Sequence, residues 1–136
     1  MSPVVTGSHE QKLLEVPARF RGLSVEPLWG KVDLPLDGID LCIVGGQSGA
    51  GSKPFDLAWA ADLQHQCQDV GTAFFIKQLG ANASWNGNRL TLQHGHGGDW
   101  NEWPPEFRVR EMPVGFYEYR TSLMFKADES VVACSE

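Results

Sequence analysis

The sequence predicts an α/β domain built on a small parallel sheet. Three observations carry this reading. Residues 39–44 form a short, mostly apolar run with β-branched members, the pattern of a strand covered on both faces. The run stops at Gly45-Gly46, and beyond the small residues 48–51 a helical pattern opens near Pro54 and Asp56. A second apolar run, residues 73–79, follows that helix after a short join. Strand, helix and strand with short connections make a parallel, right-handed crossover unit. In such folds the carboxyl ends of the strands face the ligand crevice. A site is therefore expected on the edge that carries Gly45 to Ser48.

The chain has 136 residues, enough for one domain with its own core. It is 42% hydrophobic and 21% charged, ordinary for a globular protein, with a net charge of −6. That balance argues against a nucleic-acid binder, which needs a basic face for phosphates. No apolar run approaches the roughly 20 residues of a membrane helix, and the start lacks a basic-then-apolar signal pattern. A cytoplasmic protein without membrane contact is expected. Cys42, Cys67 and Cys134 are far apart. They read as buried or free thiols in a reducing compartment, not as a disulfide framework or a metal or cluster site.

Taken in order, residues 1–7 read as a loose start. Ser8 can cap a short helix over residues 9–16, with Leu13 and Leu14 inward, that Pro17 ends. Residues 20–25 are the first strand, interrupted by Gly22 and stopped by Pro27. Residues 32–36 are too short and proline-broken for a crossover helix, and Asp37-Gly38 turns the chain into the central strand. The helix runs from about residue 55 to Val70, with Pro54 near its first turn and Gly71 just past its end. Leu57, Trp59, Ala60, Leu63, Cys67 and Val70 mark its inner stripe. After Gly80 the chain is rich in Asn, Gly and His. Asn86-Gly87 signals a hairpin with residues 89–92 as one strand. Residues 107–112 read as extended up to Pro113. The domain is placed at residues 1–113, with 114–136 as an irregular extension too apolar at Phe116, Tyr117, Tyr119, Leu123, Met124 and Phe125 to be wholly disordered.

Four motifs stand in a recognisable order and spacing: Leu23-Ser24-Val25-Glu26-Pro27-Leu28, Ile43-Val44-Gly45-Gly46-Gln47-Ser48-Gly49, Phe74-Phe75-Ile76-Lys77-Gln78-Leu79-Gly80, and Gly98-Asp99-Trp100-Asn101-Glu102-Trp103-Pro104 followed by Arg108-Val109-Arg110-Glu111. Over Leu13 to Pro113 the chain resembles an uncharacterised phage-associated protein family. Full-length members of that family look like radical S-adenosylmethionine barrel enzymes with a three-cysteine cluster motif in an N-terminal half. This chain carries what resembles the C-terminal part, without the three-cysteine motif, and has Gln47 where the family has a glutamate. The resemblance implies a partial barrel or a small open sheet of about three strands with flanking helices.

The candidate site residues fall on the carboxyl edge. Glu26 can act as a base or bind an amine or hydroxyl, or it can cap a helix or pair with Lys77. Lys77 can anchor a carboxylate or phosphate, form a structural bridge with Glu26, or snorkel outward. If the chain is an enzyme, these two are its catalytic pair. Gly45, Gly46, Gln47 and Ser48 can cradle an anion on backbone amides, or form a tight turn without a ligand. The segment is neither a Walker loop nor a Gly-x-Gly-x-x-Gly turn. Gln78 alternates with Lys77 along its strand, so one of the two faces each side. Arg108 and Arg110 share a face if extended and can hold a carboxylate or phosphate, or pair with Glu106 or Glu111. His94, His96 and Asp99 have metal-ligand chemistry but read better as solvated loop residues. Trp29, Trp59, Trp85, Trp100 and Trp103 can stack on a base or sugar, or pack the core.

Two functions fit. The favoured one is a non-catalytic binding or assembly module derived from a barrel enzyme, of phage or mobile-element type, with no cofactor. An open sheet edge invites pairing, so a homo-oligomer or a partner chain is expected, with an anionic small molecule as a further ligand. The alternative is an enzyme or enzyme subunit acting on a nucleotide-like or phosphorylated small molecule at the strand ends.

Overall fold

The computed structural model describes residues 20–116 and 122–126. Among them the elements are β1 (Phe20–Val25), β2 (Leu41–Gly45), β3 (Phe55–Asp56), α1 (Leu57–Val70), β4 (Ala73–Gln78), β5 (Ala83–Trp85), β6 (Asn88–Arg89) and β7 (Ser122–Lys126). The main sheet has the order β4-β2-β1-β7, and every pairing in it is parallel. Within the described residues it is open, and no closed barrel forms. A second, smaller sheet has the order β3-β5-β6.

The core lies on one face of the main sheet. Leu23, Cys42 and Phe74 stand in register, as do Val25, Val44 and Ile76, and all six are buried. Against them α1 lays Leu57, Ala60, Leu63 and Cys67. On the opposite face Ser24, Ile43 and Phe75 stand in register and are half-buried, while Phe20 and Leu41 on the same face are buried. This alternation is the two-residue period of a strand at work.

The expected helix is present but starts two residues late. Phe55 and Asp56 pair with Ala83 and Ser84 as β3, and the Asp56 carboxylate then caps α1 by accepting the Ala58 N–H at 2.9 Å. Gly71 closes the far end in the left-handed conformation. Val70, expected inward, is 47% exposed at the last position of α1.

The connection from β1 to β2 is extended instead of helical. Val32, Leu34 and Leu36 are buried while Lys31, Asp33 and Pro35 are exposed. Gln66 of α1 stands in for a neighbouring strand here: its Oε1 accepts the Leu34 N–H at 3.1 Å and its Nε2 donates to the Val32 carbonyl at 2.7 Å. The hairpin forms at Asn86-Gly87, with Trp85 paired to Asn88 and both turn residues at positive φ, as a type I′ turn requires. Its second strand is residues 88–89, slightly earlier than the expected 89–92.

Both edges of the three-strand parallel core are occupied. Beside β4 the chain returns antiparallel: the Ile76 N–H donates to the Val109 carbonyl and the Glu111 N–H to the Phe74 carbonyl, each at 2.9 Å. Beside β1, β7 pairs over Phe20 to Ser24. The segment 114–136, expected to be an irregular extension, thus contributes a fourth parallel strand. The open-edge argument for self-pairing fails at these two edges. The short helix expected at 9–16, Tyr117, Tyr119 and Cys134 lie outside the described residues.

Candidate functional site at the carboxyl edge

The sheet brings Glu26, Gly45 to Gln47, Lys77 and Gln78 to one edge. Glu26 follows the last residue of β1, and the Leu28 N–H then donates to the Gly45 carbonyl at 2.9 Å. Lys77 sits where the register slips between Val44 and Gly45: Val44 pairs with Ile76 and Gly45 with Gln78. The slip leaves Lys77 as the extra residue of a bulge, a device that re-aims a side chain at a sheet end. Its Nζ lies 3.6 Å from Glu26 Oε1, spanning the end of β2. The Glu26 side chain is 18% exposed and that of Lys77 62%.

Most other polar groups of the edge are engaged by the chain's own backbone. Gln78 Nε2 donates to the Gly46 carbonyl at 2.7 Å. Gln47 Oε1 accepts the Lys53 N–H at 2.8 Å, closing the glycine loop on itself. Ser48 is exposed at the loop tip. Arg110 turns its fork inward: Nε donates to the Ile76 carbonyl at 3.0 Å and Nη2 to the Lys77 carbonyl at 2.7 Å. Its guanidinium lies over the rings of Phe75, Trp100 and Trp103, a favourable cation–π arrangement. Arg108 does the same for another turn, donating to the Trp100 and Asn101 carbonyls at 3.0 Å. The expected acidic partners of the two arginines are not the ones used. Glu111 instead accepts the Phe74 N–H at 3.0 Å.

Close backbone approach shapes the edge. A Cβ on Gly80 would lie 2.6 Å from the Gln47 carbonyl oxygen, and one on Gly46 would collide with the Leu79 carbonyl. Through this contact the Ala81 N–H donates to the Gln47 carbonyl at 2.9 Å, tying the glycine loop to the chain leaving β4. Above Trp29 the Lys53 ammonium lies 4.7 Å from the ring centroid. The Trp29 indole N–H is buried without a hydrogen-bond partner among the described residues.

The histidine loop is tied down as well. His94 Nδ1 accepts the backbone N–H groups of His96 at 3.2 Å and Gly98 at 3.1 Å. In its neutral form the ring therefore carries its proton on Nε2. Glu102 accepts the N–H groups of Gln93 and His94, and Asp99 accepts that of Asn101. Trp103 is buried and donates to the Gly97 carbonyl at 2.9 Å. Trp85 meets Phe107 edge-on at 4.7 Å. These tryptophans serve the core.

A groove of about 380 Å³ opens beside this loop, bounded by Gly80 and Ala83 on the strand side and by Arg89, Thr91, Leu92 and His94 on the other. The sequence reading did not single out Arg89 or this groove. Its signal was the hairpin itself, which folds the residues after Asn86-Gly87 back along β5. Gln66 was passed over too, because a polar helix residue between apolar ones looks solvent-facing.

On the core side, Cys42 and Cys67 are buried free thiols. A hydrogen bond with Cys67, together with burial, pushes the Cys42 thiol well above its ordinary range. Among the described residues no helix is long and apolar enough to cross a membrane.

Comparison with curated proteins and with solved structures returned no match. Residues 5–111, most of the chain, match the model of a family described as protein of unknown function (DUF5131), and the chain belongs to that family.

Proposed function

We propose that the chain is a non-catalytic binding or assembly module that keeps the carboxyl-edge architecture of a barrel enzyme without its chemistry. The observation that carries this reading is where the edge side chains go. Glu26 and Lys77 pair with each other, while Gln78, Arg108 and Arg110 donate to backbone carbonyls of the chain itself. Groups already engaged by the fold hold loops in place. A catalytic base or anion clamp needs its polar atoms directed at a substrate. The resemblance of the four motifs to a phage-associated, radical S-adenosylmethionine-like family supports an origin in a barrel scaffold. Assembly with a second copy or a partner chain belongs to this reading. The edges beside β1 and β4 are taken by the chain itself, so it would use another surface.

One observation favours the enzyme alternative. The Lys77 side chain is 62% exposed, which leaves ammonium donors for a phosphorylated or nucleotide-like molecule. A thermal-shift series on wild type, Glu26→Gln and Lys77→Met separates the two. With S-adenosylmethionine, common nucleotides and sugar phosphates, the module reading expects no ligand shift that depends on Glu26 or Lys77. A shift present in wild type and absent from both variants would establish the strand-end enzyme site instead. Sedimentation velocity on the same samples reads the assembly, and a monomer at all concentrations would remove the homo-oligomer.

A further inference from the structure

The groove beside the histidine loop is lined by none of Glu26, Gln47, Lys77 and Gln78 and carries its own chemistry. Its Gly80 and Ala81 follow the carboxyl end of β4, where α/β folds place their ligands. Its volume of about 380 Å³ is within the range of small-molecule sites. The floor is made by small residues, Gly80, Ala81 and Ala83, and Leu90 and Leu92 add apolar wall. Among the described residues Arg89 is the cation of the lining, and no Asp or Glu stands with it there. The chain as a whole has a net charge of −6, so an arginine without an acid beside it among the described lining residues stands out.

The polar groups are preset. Arg89 Nη2 donates to the Ala81 carbonyl at 3.3 Å, which stations the guanidinium beside the floor and leaves further N–H donors. His94 has its Nδ1 occupied by two backbone amides, so Nε2–H is its donor. The Glu102 carboxylate accepts the Gln93 and His94 amides, and among the described residues it forms no ion pair with Arg89. A guanidinium fork pairs with a carboxylate or phosphate group.

We propose that this groove binds a small organic anion, its oxyanion on Arg89 with His94 and its compact apolar body against Ala83, Leu90 and Leu92. The proposal does not rest on the module reading, because it uses none of the residues of the Glu26–Lys77 edge.

The test is an amide chemical-shift titration of the full chain with benzoate, phenyl phosphate and, as the uncharged control, phenol. The expected result is saturable shifts at residues 80–95 with at least one of the two anions and none with phenol. Arg89→Gln, an exposed position with one backbone contact, should weaken binding by about tenfold or more, the effect of losing one charged hydrogen-bond pair. Lys77→Met should leave it unchanged. Preference for phenyl phosphate assigns a phosphate ester, and preference for benzoate assigns a carboxylic acid. The proposal is overturned if neither anion gives saturable shifts, if Arg89→Gln binds as wild type does, or if the shifts fall at residues 45–53 and vanish in Lys77→Met.

Discussion

Gly46 and Gly80 meet where the glycine loop crosses the end of β4, and neither position has room for a side chain. Gly80 also has φ of 80°, which L residues rarely adopt. Gly80→Ala should therefore cost at least about 2 kcal/mol in urea unfolding, whereas alanine at Gly49, with open space around it, should cost about 1 kcal/mol from its φ alone. Trp29 is a different residue-scale case. Its buried N–H has no partner among the described residues, and an unmade hydrogen bond in the interior is destabilising. Trp29→Phe removes that donor, so its loss of ring contacts should be offset, and urea unfolding should show a net change under about 1 kcal/mol. Cys42 gives a pH signature. Its thiol is held above the ordinary range in the fold, so the folded state keeps a proton that the unfolded chain releases at about pH 8.5. The stability this contributes is fully present below the unfolded value and is lost as pH rises toward the folded one. The thermal midpoint should fall above about pH 8.5, and Cys42→Val should flatten that fall.

At the scale of elements, the two cationic residues at β4 differ in what they hold. Lys77 pairs with Glu26 through an ammonium that is mostly in solvent, and such pairs are worth under about 1 kcal/mol. Arg110 joins the 109–111 segment to β4 by hydrogen bonds to two strand carbonyls, with its guanidinium over three aromatic rings. Urea denaturation should rank Arg110→Ala well above Lys77→Met, by about 1–2 kcal/mol. Arg110→Lys should not restore it, because an ammonium cannot span both carbonyls as a planar fork does. Gln66 is the same kind of residue on α1. Alanine there would leave the Leu34 N–H and the Val32 carbonyl unpaired, at a cost of about 1–3 kcal/mol.

For the molecule as a whole, the strand beside β1 matters most. The family match ends at residue 111, and β7 (Ser122–Lys126) lies beyond it. A chain ended after Phe116 would expose the β1 edge along Phe20 to Ser24, now paired with β7. An unpaired parallel edge is a template for association. The truncated chain should be less stable in urea and larger by sedimentation than the full one. If it is equally stable and sediments as the full chain does, β7 is dispensable to the sheet.

The sequence by itself determined the β1, β2, α1 and β4 order, the core stripe Leu57, Ala60, Leu63 and Cys67, and the shared edge of Glu26, the glycine loop and Lys77. Those features follow from local periodicity and from one rule of crossover connections, so they are readable along the chain. Only the tertiary structure decided what the edge residues do. Whether Arg110 meets a ligand or the Ile76 and Lys77 carbonyls depends on an antiparallel return from 33 or more residues away. Whether Lys77 faces Glu26 depends on a one-residue slip in register. The groove at Arg89 exists because the hairpin folds back over small residues after β4. A turn at Pro113–Gly115 precedes β7, but its place beside β1 is a long-range pairing that no local signal announces. Contacts between distant segments leave no period in the sequence, and these contacts, more than residue type, determine which polar groups remain for a ligand.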